Sequence, residues 1–139
     1  MFRLSAQPID AAALRAGLER PDAGALVVFE GRVRDKNQGR AVDRLDYDVA
    51  GELALAEGEK VLAEARDKFS LLDVLAVHRT GSLACGDVAV WVGVLAVHRD
   101  VAFEACRYVI DQINARVPIW KKEHYAGGQA EWLNAGPAS

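Results

Sequence analysis

The residues of this chain equipped for chemistry are cations. Arg32, Arg34, Arg40, His78, Arg79, His98, Arg99, Arg116, Lys121, Lys122 and His124 are the candidates. Between Gly31 and Arg44, five basic residues (Arg32, Arg34, Lys36, Arg40, Arg44) face only Asp35 and Asp43, inside a chain whose formal net charge is -3. A local positive surplus in an acidic protein suits an anionic small molecule. Arginine offers a planar fork for phosphate or a ring edge, lysine a point charge and, once desolvated, a nucleophilic amine. Histidine shuttles protons near neutrality. His78 and His124 are read as structural.

Other chemistries lack their motifs. The chain has no Gly-x-Ser-x-Gly, no phosphate-loop pattern and no paired-histidine motif, so a serine triad, nucleotide hydrolysis and zinc chemistry have no sequence support. Cys85 and Cys106 stand 21 positions apart without the spacing of a zinc or redox pair, and are read as reduced structural thiols. The acidic balance argues against a non-specific nucleic-acid binder. No basic n-region leads into an apolar stretch at Met1 to Pro8, and no apolar run reaches the ~18–20 residues of a membrane span. Residence in the cytoplasm, with no membrane and no nucleic acid as partner, is the expectation.

The elements that must position these cations follow from periodicity. With 139 residues, 51% hydrophobic and 27% charged, the chain is sized and composed for a single globular domain, residues 1–139, with 135–139 expected to fray. Asp10 caps a short helix running from Ala11 toward Arg20, stopped by Pro21 and Gly24. Ala25 to Phe29 continues through Val33 as a strand delivering Arg32 and Arg34 to its far end, and Asp35 to Arg40 reads as a mobile loop. A returning strand over Val42 to Asp48 precedes a long amphipathic helix from Gly51 to Phe69. Leu71 to Arg79 and Val88 to His98 are strand-like. The second is apolar on both alternating faces, which predicts a central strand or one at a subunit contact. A third helix spans about Asp100 to Val117 and ends at Pro118. Strands follow at Ile119 to Tyr125 and Ala130 to Asn134 around Gly127-Gly128. The order α-β-β-α-β-β-α-β-β suits an α+β fold rather than a doubly wound sheet. Leu-Ala-Val-His-Arg occurs at 75–79 and again at 95–99, too little for a repeat protein.

Four stretches together resemble the large subunit of molybdopterin synthase. They are Gly24-Ala25 through Phe29-Glu30-Gly31-Arg32-Val33-Arg34 with Asn37 and Gly39; His78-Arg79-x-Gly81-x-Leu83 with Gly86-Asp87; Ala96-Val97-His98-Arg99 with Ala102 to Cys106; and Pro118-Ile119-Trp120-Lys121-Lys122-Glu123. In order, they cover about residues 24 to 133. The resemblance implies an α/β hammerhead-like domain with an additional antiparallel β-sheet and a homodimer of large subunits. It also implies docked small ubiquitin-like sulfur-carrier subunits, whose thiocarboxylated tails supply sulfur to cyclic pyranopterin monophosphate to make the molybdopterin dithiolene. It implies no metal and no dissociable cofactor. Carried over residue by residue, Lys121, Arg34, His98 and Arg99 form the catalytic and substrate site, joined by Arg116 and Lys122, with Phe29 as a packing wall. The chain departs from the family at Asn114, where a lysine is usual, at Ala50, where a tyrosine is common, and at Leu53, where a methionine is common. An amide cannot act as an amine. Two further readings therefore stay open: a relative that docks the carrier but turns over poorly, and a binding module for a phosphorylated metabolite.

Overall fold

In the computed structural model, residues 1–134 are described. The expected tail at 135–139 lies outside them. The chain runs β1 (Phe2–Ser5), α1 (Ala11–Ala16), β2 (Ala25–Arg32), β3 (Lys36–Asn37), β4 (Arg40–Val49), α2 (Gly51–Lys68), β5 (Asp73–Arg79), β6 (Gly81–Ala84), β7 (Val88–Ala96), α3 (Arg99–Arg116), β8 (Ile119–Tyr125) and β9 (Ala130–Asn134).

A first sheet has the order β1-β5-β7-β2. β7 lies between β5 and β2 and is antiparallel to both. This central position accounts for its two apolar faces. Val90, Val92, Val94 and Ala96 join the core formed with α2 and α3, while Trp91 belongs to a second cluster with Leu18 and Leu75 beneath α1. Both faces are covered within one chain, so the pattern needs no subunit contact. Gly93 is required by this second cluster: a Cβ there would lie 2.5 Å from the Trp91 ring and 2.8 Å from Leu18.

The helices obey their local signals. Asp10 accepts the Ala13 amide at 3.1 Å. α1 is shorter than expected because Gly17 closes it in turn geometry, and Leu18 then dives under it. Six residues are too few for an independent helix, so Ile9, Leu14 and Leu18 hold α1 against the sheet. α3 buries Ala102, Cys106, Val109, Ile110 and Ile113 along one stripe and stops before Pro118. β1 is an element that periodicity did not reveal. It pairs parallel to β5, Phe2 against Ala76 through Ser5 against Arg79, and a four-residue strand carries too little pattern to be seen alone.

The second sheet is antiparallel, with β4 against β8 from Val42–Tyr125 to Val49–Ile119, and β9 against β8. β3 and β6 pair with the other edge of β4. The segment expected to be a mobile loop is instead a two-residue hairpin. Asn37 pairs with Arg40, and Gln38 and Gly39 both have positive φ, 51° and 79°. That combination is the type I′ turn matched to strand twist. Between β5 and β7 the chain leaves the first sheet as β6, pairing Leu83 with Leu45 and Gly81 with Tyr47. The architecture is thus the α+β arrangement with an added antiparallel sheet.

Candidate functional site

β8 alternates with period two: Ile119, Lys121, Glu123 and Tyr125 are buried, whereas Trp120 is exposed and Lys122 and His124 are half-buried. Lys121 and Glu123 therefore point to the same side of the second sheet as Leu45 and Tyr47 of β4. On that side the end of β2 and the hairpin close a cleft, lined among others by Arg32, Arg34, Lys36, Asn37, Tyr47, Lys121 and Glu123. The hairpin is fixed at its base. Val33 donates to the Asp87 carbonyl at 3.0 Å and Gly86 to Val33 at 2.8 Å, while Val42 donates to Asp35 at 2.8 Å.

Four cations meet one carboxylate in this lining. Lys121 is only 7% exposed, and burial holds its ammonium below the ordinary lysine value; Glu123 pulls the other way and the Arg34 charge adds to the lowering. A partly desolvated amine beside a guanidinium is primed for proton transfer or for an anion. Asn37 Nδ2 donates to Glu123 Oε2 at 3.0 Å, and the Tyr125 hydroxyl is hydrogen-bonded to the same carboxylate. The Tyr47 phenol is pushed up to about 12 by burial and by Glu123, so it stays a neutral donor near pH 7. Its ring meets His78 edge-on, centroids 4.8 Å apart.

His78 is buried, and burial drives its pKa down to about 4 against an opposing backbone hydrogen bond. Its Nδ1 lies 2.7 Å from the Arg79 carbonyl, which accepts, so the neutral ring carries its proton on Nδ1. His124 sits on the other face of the second sheet, with Nε2 2.6 Å from Asp46 Oδ2.

The structure brings Arg34 and Lys121 together in one chain, with Arg32 in the same lining, and leaves His98, Arg99, Arg116, Lys122 and Phe29 elsewhere. His98 and Arg99 are exposed at the start of α3. They follow the far end of β7, whose Ala89 borders the cleft; from there the strand runs on to Ala96, roughly 23 Å at a strand rise of ~3.3 Å. Lys122 faces away from Lys121, its Nζ 5.4 Å from the Trp132 ring centre. Arg116 is paired with Glu64 and Glu57 of α2. Phe29 lines a different, shallow groove with Phe103, Cys106 and Ile110. Asn114 is half-buried on α3 and does not line the cleft.

Sequence reasoning singled out neither Glu123 nor Tyr47 as site residues. The period of two that turns Lys122 to the other face would have placed Glu123 beside Lys121. Nothing local could have shown that Tyr47 faces them, because that depends on the β4–β8 register. Among the described residues no group of three His, Cys, Asp or Glu side chains is placed to hold a metal ion. Among the same residues no helix is long and apolar enough to cross a membrane. Both cysteines are free thiols, Cys106 buried with its pKa raised to about 11 and Cys85 at the hairpin base, 3.0 Å from the Val42 carbonyl.

Comparison with known proteins agrees with this architecture. The model of the MoaE protein family matches residues 4–116. The molybdopterin synthase catalytic subunit of Thermoplasma volcanium is 42% identical over 115 residues, covering 83% of this chain and 84% of the relative. The crystal structure of molybdopterin synthase from Staphylococcus aureus superposes with a TM-score of 0.88 at 32% identity, covering 94% of each chain. A protein–protein complex of subunits 1 and 2 of molybdopterin-converting factor from Helicobacter pylori shares the fold, with a TM-score of 0.76 at 21% identity, over 99% of this chain and 92% of that one. With its two-sheet architecture, its family match and its full-length relatives in agreement, the chain belongs to the MoaE family, the catalytic subunits of molybdopterin synthase.

Proposed function

We propose that this chain transfers sulfur from a thiocarboxylated small carrier subunit to cyclic pyranopterin monophosphate, forming the molybdopterin dithiolene in the cytoplasm. The observation that carries the reading is the buried Lys121 amine held beside Arg34 in a cleft whose charged lining residues are four cations and one carboxylate. The precursor phosphate and the carrier terminus are both anionic. A water-poor cationic cleft holds the two together and stabilises the charge that develops as sulfur moves. Arg34 binds phosphate or carboxylate, and Lys121 stabilises charge or assists proton transfer. Similarity to catalytic subunits of molybdopterin synthase, and a fold shared with a two-subunit complex, support a small-subunit partner.

His98 and Arg99 join this site from a second copy of the chain in a homodimer. What supports this is their exposure together with that of the apolar Val97 and Phe103 that flank them, 47% and 61% exposed, beside β2, the outermost strand of the first sheet among the described residues. Apolar side chains around a cationic pair suit a contact more than open water.

The test mixes the purified chain with thiocarboxylated carrier and precursor and follows dithiolene product. Product formation supports the enzyme. Carrier docking without product indicates a relative that has lost turnover through Asn114, and Asn114→Lys then restores it. Precursor binding with no carrier affinity indicates a metabolite-binding module and overturns the proposal.

A further inference from the structure

Arg40 belongs to the basic segment that suggested an anion site, yet it does not line the cleft. Its Nη1 lies 3.2 Å from Glu131 Oε2, its Nη2 lies 2.6 Å from Gln129 Oε1, and its guanidinium stacks 3.6 Å from the centre of the Tyr125 ring. Every one of these contacts is to β8, β9 or the turn between them, across the sheet from the hairpin that Arg40 begins to close.

The contacts continue inward. Tyr125, under the guanidinium, shares its hydroxyl with Glu123, and Glu123 accepts Asn37 from the same hairpin. Glu123 also acts electrostatically on Lys121. Beyond the backbone bonds at its base and the Ala126 amide that donates to the Ala41 carbonyl at 3.0 Å, two hairpin side chains reach β8 and β9, Asn37 inside the cleft and Arg40 outside it. Between and beside these points it carries Lys36 and follows Arg34, two of the cations of the lining. A two-residue strand paired on one edge cannot hold its own position in water.

We infer that Arg40 is a positioning residue, a clasp that seats the hairpin against β8 and β9 and so sets where Arg34 and Lys36 stand relative to Lys121. An exposed ion pair alone contributes little. Here the fork, the amide partner and the aromatic stack act on one guanidinium, and lysine cannot reproduce all three. The consequence for substrate rests on the sulfur-transfer reading above; the consequence for the hairpin does not.

The experiment compares Arg40→Ala, Arg40→Lys and the swap Arg40→Glu with Glu131→Arg, beside Lys121→Ala as the control for the cleft. Arg40→Ala is expected to speed amide exchange over residues 35–42 about tenfold, with the helices and first sheet unchanged. It is expected to raise KM for the precursor about tenfold, equivalent to ~1.4 kcal/mol, with kcat within about twofold. Arg40→Lys recovers part of the loss and the charge swap recovers more. If exchange over 35–42 is unchanged in Arg40→Ala, the clasp does not exist. If exchange quickens while KM holds in an enzyme that Lys121→Ala cripples, the hairpin is fastened by Arg40 but does not position the site, and the inference fails. If Lys121→Ala itself changes nothing, the sulfur-transfer reading of the cleft falls, and the exchange result alone decides the clasp. A kcat loss accompanied by a drop in Tm marks Arg40 as merely structural and overturns the positioning role.

Discussion

At the scale of the residue, two buried groups with lowered pKa behave oppositely. Lys121 is desolvated beside both Glu123 and Arg34, so its amine is useful to a reaction and its removal is felt in turnover. Lys121→Ala is expected to lower the rate of dithiolene formation by about a hundredfold or more, as for loss of one buried charge-stabilising group, while Lys121→Arg keeps binding better than rate. Single-turnover kinetics separates the two. His78 has no such role, because its Nδ1 proton is committed to the Arg79 carbonyl and its ring to Tyr47. Its folded pKa of about 4 lies below the ordinary 6.5. Above the ordinary value neither folded nor unfolded chain protonates it. As pH falls below it, only the unfolded chain takes up the proton, so stability declines until the folded pKa is reached. The limit of this loss is about 3 kcal/mol. Urea unfolding of wild type and His78→Gln at pH 7 and pH 4.5 measures it: the wild type should lose more stability between the two pH values than the variant does. Equal losses would show that His78 does not carry the dependence.

At the scale of the element, the hairpin over residues 35–42 governs the cleft. Gln38 and Gly39 occupy left-handed backbone, where a β-branched side chain costs ~1–2 kcal/mol. Gly39→Val is therefore expected to loosen the hairpin and weaken precursor binding while the main unfolding transition shifts little, since the first sheet and the α2–α3 layer do not depend on it. Calorimetric Tm beside precursor affinity checks this, and a large fall in Tm with intact affinity would contradict it. The strand β8 makes a second point at this scale. Its alternation separates Lys121 and Glu123 from Lys122 and His124, so adjacent lysines that look equivalent in the sequence face different surroundings. A pair of cations at i and i+1 in a strand cannot share one small ligand.

At the scale of the whole molecule, one chain gathers Arg34 and Lys121 but holds His98 and Arg99 at the other end of β7. The four converge only if copies associate. Sedimentation equilibrium at micromolar concentration is expected to give a dimer, and Phe103→Asp to give a monomer with reduced turnover, because it removes the contact that would bring His98 and Arg99 across. A monomer that turns over fully would refute the shared site. Much of this was legible in the residues themselves. The capping aspartate, the helical stripes, the period of β8, the Gly127-Gly128 turn and the proline after α3 are local signals, set by steric and hydrogen-bonding rules within a few residues. So were the cationic candidates, since charge and donor geometry belong to the side chain. The pairing of β1 with β5, the departure of β6 to β4, the reassignment of Arg40 from the cleft to its rim and the approach of Tyr47 to Lys121 were not. Each depends on the register between strands distant in sequence, which burial and hydrogen bonding across the finished sheets decide, and no local pattern encodes it.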